Sequence, residues 1–380
     1  MKKAYLELIR GVAALLVLIT HIVSLHPSLK SMGLNTISNW GTESVIVFFI
    51  LSGVVINLSY THSPKSSGEF IANRIRRLYP QFLLGMILGF ISLLVLGLQT
   101  PSVSMLAGNL LMLSTLQCYI FCTISSNLPI WSLSFEMAFY FLFSLIIKTR
   151  IKIFYWFLLS LIAIPFYYNN IENPYLKQLV AVFAFSSIWL VGYYVFEYRN
   201  KFHFDIQTSI ISVSLLPLLS RIQWTFEYYC PIRFLIFALA AIPFLHFCLE
   251  EKKQGRKIHV GLIVVVYLIS VFFLHKKSSS LLYNKIFYSS LPIIAVLFYQ
   301  LVVKFKFKAR LKEFLTGRFA MLFGKYSYSF YILHFPIFYL IAKFINNPAV
   351  YILMSISILI VLAYFSENFF QKIFIKKKLS

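Results

Sequence analysis

Residues 6–21 read Leu-Glu-Leu-Ile-Arg-Gly-Val-Ala-Ala-Leu-Leu-Val-Leu-Ile-Thr-His, an apolar run that carries one arginine and ends on a histidine. Extended to 5–25, this run is long enough to cross a bilayer, because a spanning helix needs about 20 largely apolar residues. Similar runs lie near 42–60, 81–98, 129–147, 153–168, 178–196, 206–220, 232–250, 258–274, 286–303, 320–342 and 349–370. The sequence therefore predicts an all-α, polytopic integral membrane helix bundle of about 10–12 transmembrane helices.

The composition excludes the soluble classes of protein. Only 12% of the 380 residues are charged and 59% are hydrophobic, whereas a soluble domain has about 25% charged residues. Intrinsic disorder is excluded because apolar residues dominate. The net charge of +23 would suit a nucleic-acid binder, but 40 Phe and 24 Tyr in long uncharged runs exceed what a soluble core of this size encloses. We expect a lipid bilayer, and no nucleic acid, as a partner.

The basic residues predict the orientation of the bundle. With the N-terminus in the cytoplasm and the apolar stretch 103–122 not crossing, most of the 35 Lys and Arg fall on the cytoplasmic side, as the positive-inside rule requires. If 103–122 crossed, the basic tail Lys376–Lys378 would lie outside. We therefore expect both termini in the cytoplasm, and 103–122 to be re-entrant or interfacial on the outer side.

The chain is expected to form a single membrane domain over 1–380, with no appended soluble domain. Glu7 and Arg10 interrupt the first apolar run, so it does not resemble a cleaved signal peptide. A disulfide among Cys118, Cys122 and Cys230 is possible, although buried thiols are the favoured interpretation. No Cys/His cluster has the spacing of metal ligands, so we expect neither a metal nor a bound cofactor.

Ionisable residues inside spans are the most informative positions, because each costs about 2.5–3.5 kcal/mol at mid-span. Arg10 and His21 lie three helical turns apart and so share a face of the first helix. Glu136 and His334 lie inside two later spans. A rise of about 1.5 Å per residue places His21, Glu136 and His334 at a similar depth in the outer half of the membrane. We expect acid–base groups in this layer.

A basic segment, Arg74-Ile75-Arg76-Arg77-Leu78-Tyr79-Pro80, precedes the third span. Its arginines could simply fix the topology. They would equally suit a phosphorylated ligand, because the planar guanidinium group binds phosphate through two hydrogen bonds. The residues alone leave both interpretations open.

Five segments occur in a familiar order: Arg10-x10-His21, Phe48-Phe49-Ile50-Leu51-Ser52-Gly53, the segment 74–80, Trp131-Ser-Leu-Ser-Phe-Glu136-x3-Tyr140, and Gly324-Lys-Tyr-Ser-Tyr-x2-Tyr-x2-His334-x-Pro336. In this the chain resembles the acyltransferase 3 family of membrane O-acyltransferases. The matching segments lie in 5–80, 129–142 and 323–336. Glu7 stands where that family more often has Asp, which is a conservative difference.

The resemblance implies transfer of an acyl group, usually acetyl from cytoplasmic acetyl-CoA, to a sugar hydroxyl. The implied acceptor is a cell-surface polysaccharide such as O-antigen, capsule or exopolysaccharide, or its lipid-linked precursor. The implied location is the cytoplasmic membrane of a bacterium.

The resemblance also assigns roles to residues of this chain. Arg10 and His21 correspond to the essential pair of the first helix, and Glu136 to the acidic residue of the Trp-Ser-Leu segment. We expect His21 to be a general base or a transient acyl carrier, Glu136 to orient it or the acceptor, and Arg10 to polarise the thioester or bind the donor. Arg74, Arg76 and Arg77 would hold the phosphates of CoA. Second-rank candidates for acceptor binding are His334, Ser52, Tyr140 and Glu43.

The alternative is a polytopic transporter, flippase or glycan polymerase of the cell envelope, without acyl chemistry. Buried Arg, Glu and His also suit a proton-coupled transporter. The sequence contains no obvious internal repeat of the kind that many transporters have, and its predicted external connections are short.

Replacing His21 with Ala is predicted to abolish acyl transfer, because the imidazole expected to take up the hydroxyl proton is lost. The amount of protein inserted in the membrane should stay at the wild-type level. Transfer of labelled acetyl measured in membranes tests this, and full activity of the variant would rule out His21 as the base.

Overall fold

A computed structural model of the chain describes residues 2–32, 40–220, 230–249, 256–257, 267–269, 271–272, 288–297 and 317–372. Its helices are α1 Lys2–Leu25, α2 Pro27–Ser31, α3 Gly41–His62, α4 Ser67–Val95, α5 Val103–Leu110, α6 Trp131–Thr149, α7 Ile153–Tyr167, α8 Pro174–Glu197, α9 Ile206–Ser220, α10 Pro231–Ala240, α11 Ile242–Leu249, α12 Tyr288–Leu297, α13 Arg318–Phe344 and α14 Pro348–Phe365. A 3-10 segment, Ser125–Ile130, precedes α6, and a π-helical turn, Ser366–Phe370, follows α14. The strands are the two-residue β1 Ser114–Thr115, β2 Phe121–Cys122, β3 Phe202–His203 and β4 Arg256–Lys257, paired in parallel as β1–β2 and β3–β4.

The prediction of an all-α membrane bundle is confirmed. In the described part of the chain, six helices are long and apolar enough to cross a membrane, or seven when α10 and α11 are counted as one span bent by 44°. Shorter apolar helices, α7, α9 and α12, accompany them. The predicted span 258–274 lies largely outside the described residues, and 286–303 is described only over 288–297. The lysine-rich stretch 304–312 and the tail 376–378 lie outside them. The chain is a multi-pass membrane protein, and its total number of spans stays a prediction.

The stretch 103–122 does not form a membrane-crossing helix, as the charge distribution predicted. It holds the eight-residue α5 and the short strands β1 and β2. The chain turns back between these strands and brings Cys118 beside Cys122, and the two form a disulfide. The expectation of buried thiols is therefore wrong for this pair, whereas Cys230 and Cys248 are free and buried.

The predicted basic loop before the third span is helical. Ser66 and Glu69 form a capping box that begins α4 a full fourteen residues before the predicted start of the span. Arg74, Arg76 and Arg77 are therefore helical residues, and Pro80 lies inside the helix. The missing N–H of Pro80 costs only one helical bond, which neighbouring groups in a bundle can replace.

The chain divides into two compact units. Unit 1 consists of residues 1–9, 46–63 and 187–321, and unit 2 of residues 10–45, 64–186 and 322–380. Within unit 1, α3 and α8 cross at backbone contact. A Cβ at Gly53 would lie 2.0 Å from the Trp189 carbonyl oxygen, and one at Gly192 would lie 1.9 Å from the Ile50 carbonyl oxygen. Small residues of this kind let membrane helices approach closely.

In unit 2, α13 packs against α1, and the two helices run in the same direction. Gly11 lies against Phe323 and Gly324 at one end of the contact, where an added Cβ would be 2.9 Å from the Phe323 Cβ. Ten residues further along each helix, His21 lies against His334. The glycine allows the helices to meet closely enough for these two rings to touch.

α13 also packs against α4, again in parallel. The Tyr328 hydroxyl donates to the Leu78 carbonyl at 2.9 Å, and the Ser92 hydroxyl donates to the Pro336 carbonyl at 3.3 Å. Between them, a Cβ at Gly85 would lie 2.3 Å from Ile332 Cγ2. α6 runs antiparallel to α4 and is joined to its start by a 2.7 Å hydrogen bond between the hydroxyls of Ser67 and Ser144.

Replacing Gly192 with Ala is predicted to destabilise the fold by about 1–3 kcal/mol or more, because the new methyl group meets backbone rather than a movable side chain. Gly68 is the matched control, since a Cβ there meets nothing within 4 Å. Thermal unfolding in detergent measures the effect. Equal melting temperatures for the two variants would contradict the close crossing of α3 and α8.

Candidate functional site

Two histidines from distant parts of the chain meet inside unit 2. The ring centroids of His21 on α1 and His334 on α13 lie 5.1 Å apart, and the rings are tilted by 37°. Phe335 packs edge-on against His21 with a centroid distance of 5.0 Å. His334 is fully buried, whereas His21 is partly exposed. The prediction that these two residues lie at the same depth is confirmed.

The hydrogen bonds of His334 fix where its proton lies. Its Nδ1 is 2.8 Å from the Tyr331 carbonyl and 3.1 Å from the Phe330 carbonyl. A carbonyl oxygen only accepts, so Nδ1 carries the proton and Nε2 of the neutral ring keeps its lone pair. Nε2 is buried and has no hydrogen-bond partner in the described part of the chain. His334 can therefore accept one more hydrogen bond beside His21.

Glu136 lies with the arginines rather than with the histidines. Its Oε1 accepts a hydrogen bond from the Tyr140 hydroxyl, one turn further along α6. It also interacts electrostatically with Arg74 and with Tyr328, six residues before His334. These contacts put Glu136 in the layer of Arg74, about 9 Å along α13 from His334. The expectation that all three titratable residues share one layer is wrong for Glu136.

The 3-10 segment explains this difference in depth. Ser126 and Asn127 are fully buried, so α6 begins inside the protein rather than at the membrane surface. The Ser126 hydroxyl donates to the Gly89 carbonyl at 2.7 Å. The Asn127 amide donates to the Gly85 carbonyl at 3.2 Å and to the Ile332 carbonyl at 3.3 Å. Counting residues from the outer surface therefore placed Glu136 too far out.

The first turn of α6 is attached to α13 beside the histidines. The Tyr331 hydroxyl donates to the Pro129 carbonyl at 2.7 Å and lies 2.7 Å from the Ser132 hydroxyl. Tyr331 is also the residue whose carbonyl binds His334 Nδ1. One buried tyrosine thus links the start of α6 to the part of α13 that holds His334.

The three arginines of α4 do not act as one cluster. Arg74 is half-buried, with its guanidinium carbon 5.4 Å from the Phe70 ring centroid and 5.8 Å from that of Tyr140. Arg77, one turn further, interacts electrostatically with Tyr328 and so faces the same neighbours. Arg76 and Arg77 are both exposed and lie about 100° apart around the helix. Arg77 is the one that interacts with Tyr328 and Glu367 of unit 2, and we call Arg74 and Arg77 the cationic face.

Glu367 is an acidic residue of this region that the sequence did not single out. It lies in the π-helical turn, accepts a 2.8 Å hydrogen bond from the Ser329 hydroxyl, and interacts with Arg77 and Lys325. Its position near the end of the chain gave no signal of this contact. π-Helical turns are frequently found at functional sites, which is the one local feature that would have marked it.

The remaining predicted site residues are Arg10 on α1 and Glu43 and Ser52 on α3. Arg10 is half-buried and adjoins Gly11, which contacts the start of α13. Glu43 is buried in the first turn of α3, a favourable place for a carboxylate. Ser52 belongs to unit 1, where it accepts a 3.2 Å hydrogen bond from the buried Trp189 indole.

Two buried amides of unit 2 lie close to these polar groups on α4 and before α6. Gln81 on α4 and Asn127 in the 3-10 segment are both fully buried. Neither entered the predicted site, although a glutamine inside an apolar run is itself a signal that a buried polar group needs a partner. Among the described residues, no group of three or more His, Cys, Asp or Glu could hold a metal ion.

The model of the acyltransferase 3 family, described as an acyltransferase domain, matches residues 3–367. The chain belongs to the acyltransferase 3 family. No curated protein and no solved structure was found to match it. The resemblance carried by the five sequence segments is thereby confirmed, and the choice between acyl chemistry and transport is decided in favour of a membrane acyltransferase.

The geometry suits an acyltransferase in two respects. The histidine pair provides a lone pair and an adjacent ring for moving a proton, as general base catalysis requires. Arg74 and Arg77 lie more than two helical turns from it along parallel helices, where they can hold an anionic group. An acyltransferase needs both a proton acceptor and a binding site for its activated donor.

Proposed function

We propose that the protein transfers an acetyl group from cytoplasmic acetyl-CoA to a sugar hydroxyl of a cell-surface polysaccharide or its lipid-linked precursor, in the cytoplasmic membrane of a bacterium. The contact between His21 and His334, with Arg74 and Arg77 on the predicted cytoplasmic side of it, carries the proposal. CoA presents several phosphate charges and a long neutral arm that ends in the thioester. A cationic entrance followed by a buried base fits a donor of that shape.

His21 is the base in this proposal. Its imidazole takes the proton of the sugar hydroxyl while the oxygen attacks the thioester carbonyl, forming a tetrahedral intermediate. The intermediate collapses to the sugar ester and releases the CoA thiolate, which takes the proton back from the imidazolium. Arg10 binds the donor or polarises its carbonyl. His21 is the more exposed of the two histidines, so it is the one that an acceptor can reach.

His334 is a positioning residue for His21. Because its Nδ1–H donates to the Tyr331 carbonyl, its Nε2 can only accept, and the adjacent His21 ring is the nearest group able to donate. In the proposed reaction one nitrogen of His21 donates a hydrogen bond to this Nε2, which is unpartnered in the described structure, and the other His21 nitrogen is the base. This arrangement follows the general pattern of a base oriented by a third group.

Arg74 and Arg77 hold the phosphates of the donor. Tyr140 and Glu136 position Arg74, since the tyrosine bonds the glutamate and both interact with the guanidinium group. Glu136 therefore supports donor binding in this proposal rather than the orientation of His21. Arg76 lies on another face of α4, and its expected part in donor binding is tested by comparison with Arg77.

The overall proposal is tested by transfer of labelled acetyl from acetyl-CoA to glycan in membranes with and without the protein. The expected result is label in the polysaccharide or its lipid-linked precursor only when the protein is present. Mass spectrometry of the polysaccharide from a deletion strain should show the loss of an acetyl group. Unchanged acetylation in that strain and no transfer in membranes would refute the proposal.

Arg77→Met is predicted to raise the apparent KM for acetyl-CoA about tenfold or more, because a charge-assisted hydrogen bond to phosphate is lost. Arg76→Met removes the same charge from the same turn of α4 and should have a clearly smaller effect. Steady-state kinetics at varied donor concentration measure both. Equal effects of the two substitutions would mean that the orientation of the α4 face does not govern donor binding.

His334→Leu is predicted to lower kcat about a hundredfold, with little change in the KM for acetyl-CoA, because His21 loses the group that orients it. His334→Gln keeps an acceptor near the position of Nε2 and should retain more activity. His62→Leu, at an exposed position, is the control. If the Leu and Gln variants were equally active, the acceptor role of His334 would be disproved.

A further inference from the structure

Gln81 is a fully buried amide that no group in the described chain satisfies. Its Oε1 and its Nε2 are both buried without a hydrogen-bond partner. Leaving both ends of an amide unpaired inside a membrane protein is unfavourable, because neither lipid nor the apolar core can replace the lost bonds to water. A residue retained at such a position calls for a partner that comes from outside the chain.

Asn127 has an unpaired atom of the same kind. Its Nδ2 makes structural bonds to the carbonyls of Gly85 and Ile332, while its Oδ1 is buried and unpartnered among the described residues. Gly85 lies one helical turn beyond Gln81 on α4. The two amides are therefore neighbours on the face of α4 that meets α13 and the 3-10 segment.

The two amides lie between the cationic face and the histidines. Gln81 is four residues, about 6 Å, beyond Arg77 on the same stripe of α4. Asn127 contacts the backbone of Ile332, two residues before His334. His334 Nε2 is the next unpartnered buried atom along this line. The exposed Arg77 and the buried Gln81, Asn127 and His334 thus form a row of polar groups along the contact of α4 with α13 in unit 2.

We propose that Gln81 and the Oδ1 of Asn127 bind the secondary amides of the pantetheine arm of the acyl donor. This inference rests on the proposed function, because it assumes that acetyl-CoA is the donor. A side-chain amide offers N–H donors and a carbonyl acceptor, which complement the carbonyl and the N–H of a secondary amide. The arm carries two such amides between its phosphates and its thioester. The row of polar groups would lead the thioester from Arg77 to His21.

The chemistry favours this part of the donor over its other parts. Phosphates call for cations, and the cations Arg77 and Arg74 lie one and two turns away from Gln81 on α4. An acetamido group of the acceptor sugar has the same hydrogen-bonding groups as the arm. The donor is favoured because Gln81 lies on the stripe of α4 that begins at the arginines, on the predicted cytoplasmic side from which CoA arrives.

The test measures binding of two probes to the purified full-length protein in detergent. Acetyl-CoA carries the phosphates and the arm, whereas adenosine 3′,5′-bisphosphate carries phosphates without the arm. Gln81→Met keeps the size of the side chain and removes the amide. It is predicted to weaken acetyl-CoA binding about tenfold and to leave bisphosphate binding unchanged. Gln117→Met, at another glutamine without a hydrogen-bond partner but outside the row, should change neither.

The outcomes separate this inference from the proposed function. If the wild type binds neither probe, acetyl-CoA is not the donor and the proposed function fails. If the wild type binds acetyl-CoA and Gln81→Met binds it equally well, the amide site is disproved while the proposed function stands. Equal weakening of both probes would also disprove it, since it would indicate a general distortion. A raised KM for the acceptor alone would assign the amides to the acceptor sugar instead.

A change in the ligand provides a second test that needs no variant. The probe is a CoA analogue in which methylene groups replace the C=O and N–H of each amide in the arm. It should bind the wild type about tenfold more weakly than CoA. Equal affinity of the analogue and CoA would overturn the proposal even if Gln81→Met failed to fold.

Discussion

Inside a bilayer a polar group must find its partner within the protein, and α13 meets this constraint through several neighbours at once. Its Tyr328 bonds the backbone of α4, its Tyr331 bonds the backbone of the 3-10 segment, and its Ser329 bonds Glu367 in the π-helical turn. Residues 330–338 are all buried. A helix with so many hydroxyl groups could not face lipid, so it is enclosed, and the elements that enclose it are those that carry Arg74, Glu136 and His21. The packing that satisfies α13 therefore also assembles the site.

The same constraint makes its exceptions informative. Most hydroxyl groups of α13 are satisfied, yet His334 Nε2, both amide atoms of Gln81 and the Oδ1 of Asn127 are not. Proteins that obey a packing rule almost everywhere tend to break it where they bind or react. Here the unpaired atoms follow one line from the cationic face to the histidine pair. A mobile water molecule could serve any one of them, whereas a long ligand with its own amides serves Gln81 and Asn127 together.

The sequence was sufficient for the fold class, because apolar runs of spanning length and a shortage of charge leave few other solutions. It also placed His21 and His334 at one depth, since both lie on helices whose direction the loop charges set. The sequence did not predict the depth of a residue correctly where its span begins inside the protein. The buried 3-10 segment moves the start of α6 inward and takes Glu136 to the arginine layer. Glu367 reaches Arg77 through a contact between distant segments, which no local pattern contains. The different directions of Arg76 and Arg77 around α4 were not predicted, because the segment 74–80 was expected to be a loop.

The parallel contact of α1 and α13 has a consequence for the making of the protein. Chains are synthesised from the N-terminus, and domains form as their segments emerge. His21 enters the membrane with the first helix, but its partner His334 arrives with one of the last described helices. Until α13 is made, the proposed base therefore has no orienting group, and the closing glycine contact is absent as well. A chain that stops before α13 lacks the histidine pair, so the proposed activity requires synthesis to pass residue 334.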